Sequence, residues 1–180
     1  MRAAPVPAPF PAMILTVIHD SPGRPFDAAT LMRAALAEAA TADALDEVPI
    51  GAVVYHLPSV RIVGRGHNRR ELDLDPSAHA EIVAMRQAAS HLQSWRLVDC
   101  VLVVTLEPCA MCAGAIVNAR VPHLVYGCAD PKAGAVRTFF QLCEDPRLNH
   151  RVTVTPGVLA DECSVLLSAF FQRQRALGKK

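Results

Sequence analysis

The stretch of residues 98–112, VDCVLVVTLEPCAMC, joins a buried strand to the start of a helix. Residues 98–105 are almost entirely apolar, which is typical of a strand covered on both faces. Pro108 suits the first turn of a helix, where a backbone N–H has no partner within the helix. Cys109 and Cys112 are three positions apart at this helix start, so both sulfur atoms are expected on one face. The stretch therefore predicts a helix that follows a central strand and presents two thiols.

Strand-like and helix-like segments alternate on both sides of this stretch. Runs rich in β-branched residues predict four further strands, at residues 50–57, 60–67, 123–128 and 152–155. Helical apolar spacing predicts a first helix that begins at the N-cap Asp27 and ends before Pro49, and further helices at about residues 78–92, 108–118 and 161–177. This alternation implies an α/β layered fold with a mixed sheet.

Some finer expectations concern side-chain burial and one loop. In the terminal helix, the residues expected to face the core are Cys163, Leu166, Leu167, Phe170 and Phe171. We interpret Trp95 and Tyr126 as packing aromatics rather than platforms on which bases stack. A helical turn is expected around Phe139.

Composition limits the classes of function. The chain has 180 residues, 18 Lys and Arg against 17 Asp and Glu, and a formal net charge of +1. One domain is expected, and the near-zero charge excludes binding to nucleic acid or membranes through bulk charge alone. No apolar run reaches the roughly 20 residues of a membrane span. Six cysteines are too few for a disulfide-stapled chain, so we expect a reducing, cytoplasmic location.

Residues 1–25 differ in composition from the remainder of the chain, because they hold six of its 14 prolines. Prolines break any apolar helix there, so the segment does not resemble a secretory signal. We interpret it as a flexible tail that the function does not need, with Met13 as an alternative start. Residues 26–180 are expected to form the folded domain.

His79 lies 30 positions before Cys109 and supplies a third donor. One imidazole and two thiolates suit a zinc ion, and three protein ligands leave a fourth position open to water, which is typical of catalytic zinc. The helix start also favours the thiolate forms of Cys109 and Cys112. Two alternatives stay open: Cys128, Cys100 or another histidine closes the site as structural zinc, or the two thiols form a redox pair.

Glu81 is the candidate proton carrier beside this metal site. Residues at i and i+2 do not face each other on a regular helix, but the break at residues 75–77 predicts that the helix starts here. His79 and Glu81 can then point to one site. A carboxylate next to a zinc-activated water can take its proton and deliver it to a ring nitrogen and a leaving amine. The alternative is an acid that only interacts with the helix dipole.

The motifs HAE at residues 79–81 and PCAMC at residues 108–112 resemble those of the zinc-dependent cytidine and nucleoside deaminase superfamily. Flanking stretches resemble the bacterial tRNA-specific adenosine deaminases. These stretches are residues 47–53, 66–69, 78–81, 104–115, 130–135, 149–151 and 160–163. The resemblance covers about residues 28–177.

The resemblance implies a three-layer α/β/α, cytidine-deaminase-like fold with a mixed five-stranded sheet, formed by residues 26–180 as one zinc-dependent deaminase domain. The implied reaction converts adenosine to inosine at the wobble position, position 34, of a tRNA anticodon. The implied cofactor is one Zn²⁺ per subunit, held by His79, Cys109 and Cys112, with Glu81 as the proton shuttle. The implied partners are a tRNA anticodon stem-loop and a second copy of the chain in a homodimer.

The resemblance also implies residues that contact the substrate. Asn68 would hydrogen-bond the purine, and the backbone near Ala80 and Cys109 would lie beside the reacting water. The base pocket would be walled by Pro49, Ile50 and Leu106. The anticodon loop would meet Asp130, Lys132, Asn149 and the basic C-terminal helix with Arg173 and Arg175. Such a loop is already single-stranded, so a base leaves its stack at low cost.

Some positions depart from the family pattern. His67 replaces an aromatic residue, Ala129 replaces a basic residue, and residues 137–140 replace a small, glycine-containing stretch. These departures bear on which tRNA is bound and leave the zinc chemistry unchanged. Two other functions stay open: a deaminase of a free base or nucleoside such as guanine or cytosine, and a catalytically silent RNA-binding subunit with structural zinc. The presence of Glu81 argues against the second.

Overall fold

A computed structural model describes residues 26–178 of the chain. In chain order the elements are α1 (Ala28–Ala44), β1 (Gly51–His56), β2 (Arg61–His67), α2 (Arg70–Asp73), α3 (Ala80–Leu92), β3 (Cys100–Leu106), α4 (Ala110–Asn118), β4 (His123–Cys128), a 3₁₀ turn (Leu142–Glu144), β5 (Thr153–Thr155) and α5 (Ala160–Ala176). The expected tail, residues 1–25, lies outside the described residues. None of the described helices is long and apolar enough to cross a membrane.

The five strands form one mixed sheet in the order β2-β1-β3-β4-β5. β1 runs antiparallel to both β2 and β3, while β3, β4 and β5 are parallel to one another. Parallel neighbours need a crossover, and α4 supplies it between β3 and β4. The expected mixed five-stranded sheet is confirmed.

The register brings one end of each of four strands to the same edge of the sheet. Gly51, at the start of β1, pairs with His67 at the end of β2, and Leu106 at the end of β3 pairs with Cys128 at the end of β4. The Gly51 N–H also donates to the Thr105 hydroxyl, 3.2 Å away. Residues just outside these strand ends therefore share one edge, which we call the site edge.

Helices cover both faces of the sheet. One core packs α3 and α4 against one face and includes Leu102 and Val104 of β3. The other core packs α1 and α5 against the opposite face and includes the alternate residues Val101 and Val103. This burial on both faces explains the almost uninterrupted apolar run of β3. The expected three-layer α/β/α architecture is confirmed.

The contact between α3 and β2 is close enough to require glycine. A Cβ atom on Gly64 would lie 2.2 Å from the Ala84 carbonyl oxygen, and one on Gly66 would lie 2.4 Å from the Ala80 carbonyl oxygen. The absence of both side chains lets the first turns of α3 lie directly on the strand. This packing fixes the start of α3, and with it His79 and Glu81, at the site edge.

Several local expectations were wrong. Phe171 is 40% exposed, Leu166 is half-buried, and Gln174 takes the next inward position of α5 after Phe170. Trp95 is 57% exposed, whereas Tyr126 is buried as expected. The 3₁₀ turn lies at Leu142–Glu144, after Phe139. The short helix α2 was not expected, because its acidic and basic residues have no apolar periodicity.

Candidate active site

Three potential metal ligands converge where α3 and α4 begin. His79 is the N-cap of α3 and Cys109 is the N-cap of α4, and neither makes a side-chain capping bond. Cys112 lies in the first turn of α4. His79 Nδ1 lies 3.7 Å from Cys109 Sγ and 3.6 Å from Cys112 Sγ, and the three ligand atoms lie within 4.8 Å of one another. The structure therefore brings together all three predicted ligands.

The spacing of these atoms fits a tetrahedral metal ion. Zinc bonds of about 2.0 Å to nitrogen and about 2.3 Å to sulfur, at tetrahedral angles, separate the nitrogen from each sulfur by about 3.5 Å. The observed separations match that value closely. Within residues 26–178 no fourth His, Cys, Asp or Glu belongs to this group. Cys100 begins β3 at the end opposite the site edge, and the Cys128 thiol donates to the Thr105 carbonyl instead.

The two candidate thiol ligands differ in their electrostatics, because the hydrogen bond with Cys109, together with burial, raises the pKa of the Cys112 thiol. The Cys112 hydrogen bond, together with the neighbouring His79, lowers the pKa of the Cys109 thiol to about 3. The bond to Cys109 raises the pKa of His79. The N-termini of α3 and α4 both point at the cluster, and their positive dipole ends stabilise a thiolate. A thiolate next to an imidazole is a ready ligand pair.

Glu81 lies in the first turn of α3, beside the ligands. Its side chain is only 4% exposed. Burial raises the pKa of its carboxyl group, while His79 opposes that rise. The expected helix start is confirmed, because α3 begins at Ala80 and Glu81 is its second residue. A buried carboxyl group beside three potential metal ligands is placed to exchange protons with a molecule bound at those ligands.

The predicted pocket residues lie at the site edge. Pro49 and Ile50 precede β1, Asn68 follows β2, and Leu106 ends β3. The Asn68 N–H donates to the Ile50 carbonyl oxygen over 3.0 Å, which ties the two strand ends together. Ala80 is fully buried at the start of α3. Their contacts with a base stay predictions.

Glu47 holds the Asn68 side chain and was not singled out from the sequence. Glu47 is 1% exposed, and its Oε2 accepts a hydrogen bond from Asn68 Nδ2 at 2.9 Å. Its Oε1 accepts the Leu72 N–H at 2.7 Å. This arrangement fixes the orientation of the Asn68 amide and ties α2 to the site edge. The available signal is the position of Glu47 at the start of the resembling stretch 47–53, but the resemblance assigns Glu47 itself no role.

Asp130 and Lys132 lie in the loop after β4. The Lys132 N–H donates to Asp130 Oδ1 at 2.9 Å, and the Lys132 ammonium lies 5.9 Å from the Phe171 ring centroid of α5. Glu107, directly after β3, is buried and accepts hydrogen bonds from this loop. Burial opposes ionisation of Glu107, but bonds from Thr138 and from backbone N–H groups outweigh it and hold its pKa below the ordinary value. Sequence reasoning gave Glu107 no role.

Three predicted RNA contacts lie away from the ligand cluster. Asn149 accepts a 2.7 Å hydrogen bond from Arg120, beyond the C-terminal end of α4, whereas the ligands are at its start. Arg173 pairs with Asp43 at the end of α1, and Arg175 is exposed on α5. The structure does not bring these three to the ligand cluster within one chain, and their role in binding RNA stays a prediction.

The chain is similar to known deaminases in sequence and in fold. The family model described as MafB19-like deaminase matches residues 26–175. A tRNA-specific adenosine deaminase of Haemophilus influenzae is 48% identical over 145 residues, which cover 81% of this chain and 83% of the relative. Among solved structures, one from a study of A-to-I editing by tRNA:A34 deaminases at the wobble position has a TM-score of 0.73 and 42% identity, and the match covers 77% of this chain and 99% of that one.

A guanine deaminase from Nitrosomonas europaea is also similar. Its structure has a TM-score of 0.66 and 28% identity, with 79% of this chain and 83% of that chain covered. The identity is higher and the structural match closer for the tRNA deaminases. The chain belongs to the family of tRNA-specific adenosine deaminases.

Proposed function

We propose that the protein is a hydrolytic deaminase that converts adenosine to inosine at the wobble position, position 34, of a tRNA anticodon. The observation that carries this proposal is the buried Glu81 carboxyl beside the His79, Cys109 and Cys112 cluster, in a chain 48% identical to a tRNA-specific adenosine deaminase. Because its substrate is tRNA, we expect the enzyme to act in the cytoplasm.

The cofactor is one Zn²⁺ per subunit, held by His79, Cys109 and Cys112. When bound, zinc supplies a Lewis acid that lowers the pKa of a water molecule to about 7. Glu81 takes one proton from the reacting water and delivers it to the purine ring nitrogen, and it then carries the second proton of that water to the departing amine. The balanced reaction consumes one water and one adenosine and yields inosine and ammonia. The buried surroundings of Glu81 limit proton exchange with bulk solvent.

The site edge supplies the base pocket. Glu47 accepts a hydrogen bond from Asn68 Nδ2 and so fixes the orientation of the amide, which hydrogen-bonds the purine with its remaining polar groups. Pro49, Ile50 and Leu106 wall the ring, and the backbone near Ala80 and Cys109 lies beside the reacting water. A purine hydrogen-bonded and enclosed in this way is oriented for attack at one carbon atom.

Residues outside the pocket bind the anticodon stem-loop. Asp130 and Lys132 lie nearest, in the loop after β4, and Lys132 extends toward Phe171 of α5. Arg173 and Arg175 on α5 contribute positive charge, which favours phosphate binding. Asn149 takes part only if the RNA or a second copy of the chain reaches the far end of α4.

The enzyme acts as a homodimer. An apolar groove beside the ligand helices α3 and α4 supports this proposal; its lining includes Ile82, Met85, Ala89, Trp95, Leu97 and Ala115. An exposed tryptophan next to apolar residues is typical of an interface core. Light scattering on the purified protein should give a dimer mass, and Trp95→Asp should shift it to a monomer. A monomeric wild-type protein would contradict the proposal.

A second candidate function is the deamination of a free base or nucleoside such as guanine or cytosine. The similarity to a guanine deaminase favours it. The two functions differ in whether RNA around the base is required, because an enclosed small-molecule pocket gains nothing from a stem-loop.

The test is incubation with an anticodon stem-loop that carries adenosine at position 34, followed by sequencing for inosine. The matched control carries guanosine at that position and adenosine elsewhere in the loop. Inosine at position 34 alone supports the proposal. Inosine at no position, with product from free guanine, supports the second candidate.

A further inference from the structure

Glu107 accepts an unusual number of hydrogen bonds from one loop. Its side chain is 2% exposed and follows β3 directly. Oε1 accepts the N–H groups of Val136, Arg137 and Thr138 at 3.1, 2.7 and 2.9 Å. Oε2 accepts the Asp130 N–H at 3.2 Å and the Thr138 hydroxyl at 2.5 Å. A single carboxylate thus binds both ends of residues 130–138, which we call the 130–138 loop.

These bonds decide the conformation of the loop. Three consecutive N–H groups that converge on one point have no strand or helix partner in this arrangement, so the carboxylate is their partner. Hydrogen bonds to a charged acceptor are about twice as strong as bonds between neutral groups. Removal of the carboxylate leaves one buried and several half-buried backbone donors without their acceptor, and the loop is expected to change conformation so that these donors reach water.

The same loop is joined to the turn that holds a metal ligand. The Ala135 N–H donates to the Pro108 carbonyl oxygen at 2.9 Å, and Cys109 forms a β-bridge with Gly134. Gly134 is packed against the carboxylate itself, because a Cβ atom there would lie 2.5 Å from Glu107 Oε2. The close fit at Gly134 is a second observation, independent of the hydrogen bonds, that the loop is shaped around Glu107.

The loop carries groups at the mouth of the site. Asp130, which is half-buried, and Lys132, which is exposed, lie at its beginning. We propose that Glu107 is a positioning residue whose carboxylate holds the 130–138 loop against the ligand turn, so that Asp130 and Lys132 meet the RNA beside the target base. This inference rests on the proposed function for its RNA partner, but the holding of the loop does not depend on it.

Glu107→Gln is the decisive variant. The amide keeps the size of the side chain but turns one acceptor into a donor that faces other donors. We expect the variant to keep its fold and one zinc per chain, and to raise KM for the stem-loop by about 10- to 100-fold with kcat within about threefold. Glu107→Asp keeps the charge and is expected to recover part of the lost affinity.

The matched control is Glu144→Gln. Glu144 forms a 2.8 Å ion pair with the Arg137 side chain of the same loop, on the exposed side. The Glu144→Gln variant should leave KM and kcat unchanged. Equal KM in wild type and Glu107→Gln would overturn the proposal, and so would loss of zinc from Glu107→Gln, because the role would then lie in the ligand turn. If Glu107→Gln does not fold, Thr138→Val removes one donor and should raise KM in the same direction by a smaller factor.

Hydrogen exchange separates this inference from the proposed function. In Glu107→Gln the amides of Val136, Arg137 and Thr138 should exchange at least about 10-fold faster than in wild type. Unchanged exchange overturns the inference whatever the substrate is. If wild-type protein leaves the stem-loop unmodified, the proposed function fails, and the exchange rates alone decide whether Glu107 holds the loop.

Discussion

At the residue scale, the N-cap positions of α3 and α4 do not perform their usual task. N-cap side chains normally accept a backbone N–H of the first turn. His79 and Cys109 make no such bond and point instead at Cys112 and at each other. The first turns of both helices begin at the site, where their N–H groups favour negative charge on the ligands, as the Cys112 N–H does on the Cys109 sulfur.

The first prediction concerns Glu81. Glu81→Gln keeps the size of the side chain and removes its ability to carry a proton. We expect zinc content to stay at one per chain and kcat on the stem-loop to fall by at least about 100-fold. Metal analysis and inosine kinetics measure the two quantities. Retained turnover would rule out the proton-shuttle role.

The second prediction concerns the hold of Glu47 on Asn68. Glu47→Gln places an amide against two donors, the Asn68 side chain and the Leu72 N–H. We expect catalytic efficiency on the stem-loop to fall by about 10-fold or more, because a buried donor loses its partner. Glu71→Gln, an exposed neighbour on α2, serves as the control. Identical kinetics for Glu47→Gln and wild type would show that the amide of Asn68 needs no support.

Whether the sequence predicts the role of a residue depends on how close its partners lie along the chain. Cys109 and Cys112 are three positions apart at a helix start, which predicts one shared face, and the chain break at residues 75–77 predicts a second helix start that lets His79 and Glu81 point to one site. Glu47 and Glu107 act on partners 21 to 31 residues away. No local spacing reports such a contact, because it depends on the register of the sheet.

At the element scale, the close packing of α3 on β2 positions the first turn of α3, which carries His79 and Glu81. The alternation of strands and helices was sufficient to predict that helices cover the sheet, but it does not predict the distance between α3 and β2. The small residues Gly64 and Gly66 set that distance, and their partners Ala84 and Ala80 are identified only in three dimensions. The exposure of Phe171 likewise could not be predicted, since it depends on where β4 stops covering α5.

The third prediction tests this packing. Gly64→Ala places a methyl group 2.2 Å from a carbonyl oxygen of α3, so it should lower the free energy of unfolding by about 1–3 kcal/mol. Gly114→Ala is the control, because a Cβ atom there meets nothing within 4 Å and a helical alanine is favoured by up to about 1 kcal/mol. Urea denaturation measures both. Equal stability of the two variants would contradict the packing argument.

At the scale of the whole molecule, the sheet register collects the site from distant parts of the chain. The start of β1 and the ends of β2, β3 and β4 share one edge, where Asn68, Leu106 and Asp130 follow or end their strands. The two ligand helices begin at the same edge. The order of the strands explains why stretches scattered from residue 47 to residue 135 meet at one edge of the sheet.

The fourth prediction concerns residues 1–25, which are not among the described residues. A chain that begins at residue 26 keeps the N-cap Asp27, whose carboxylate accepts the Ala29 and Thr30 N–H groups. We expect its thermal stability and its kinetics on the stem-loop to equal those of the full chain. A loss of folding or of RNA affinity would assign the segment a function.

The most direct measurement of the central claim is ammonia release by the purified zinc-loaded protein from five substrates in parallel. These are the stem-loop with adenosine at position 34, the same loop with guanosine there, free adenosine, free guanine and free cytosine. We predict ammonia from the adenosine stem-loop and none above background from the other four. Release from a free base, with none from the adenosine stem-loop, would contradict the account of an RNA-editing enzyme while leaving the roles of the ligands and Glu81 in place.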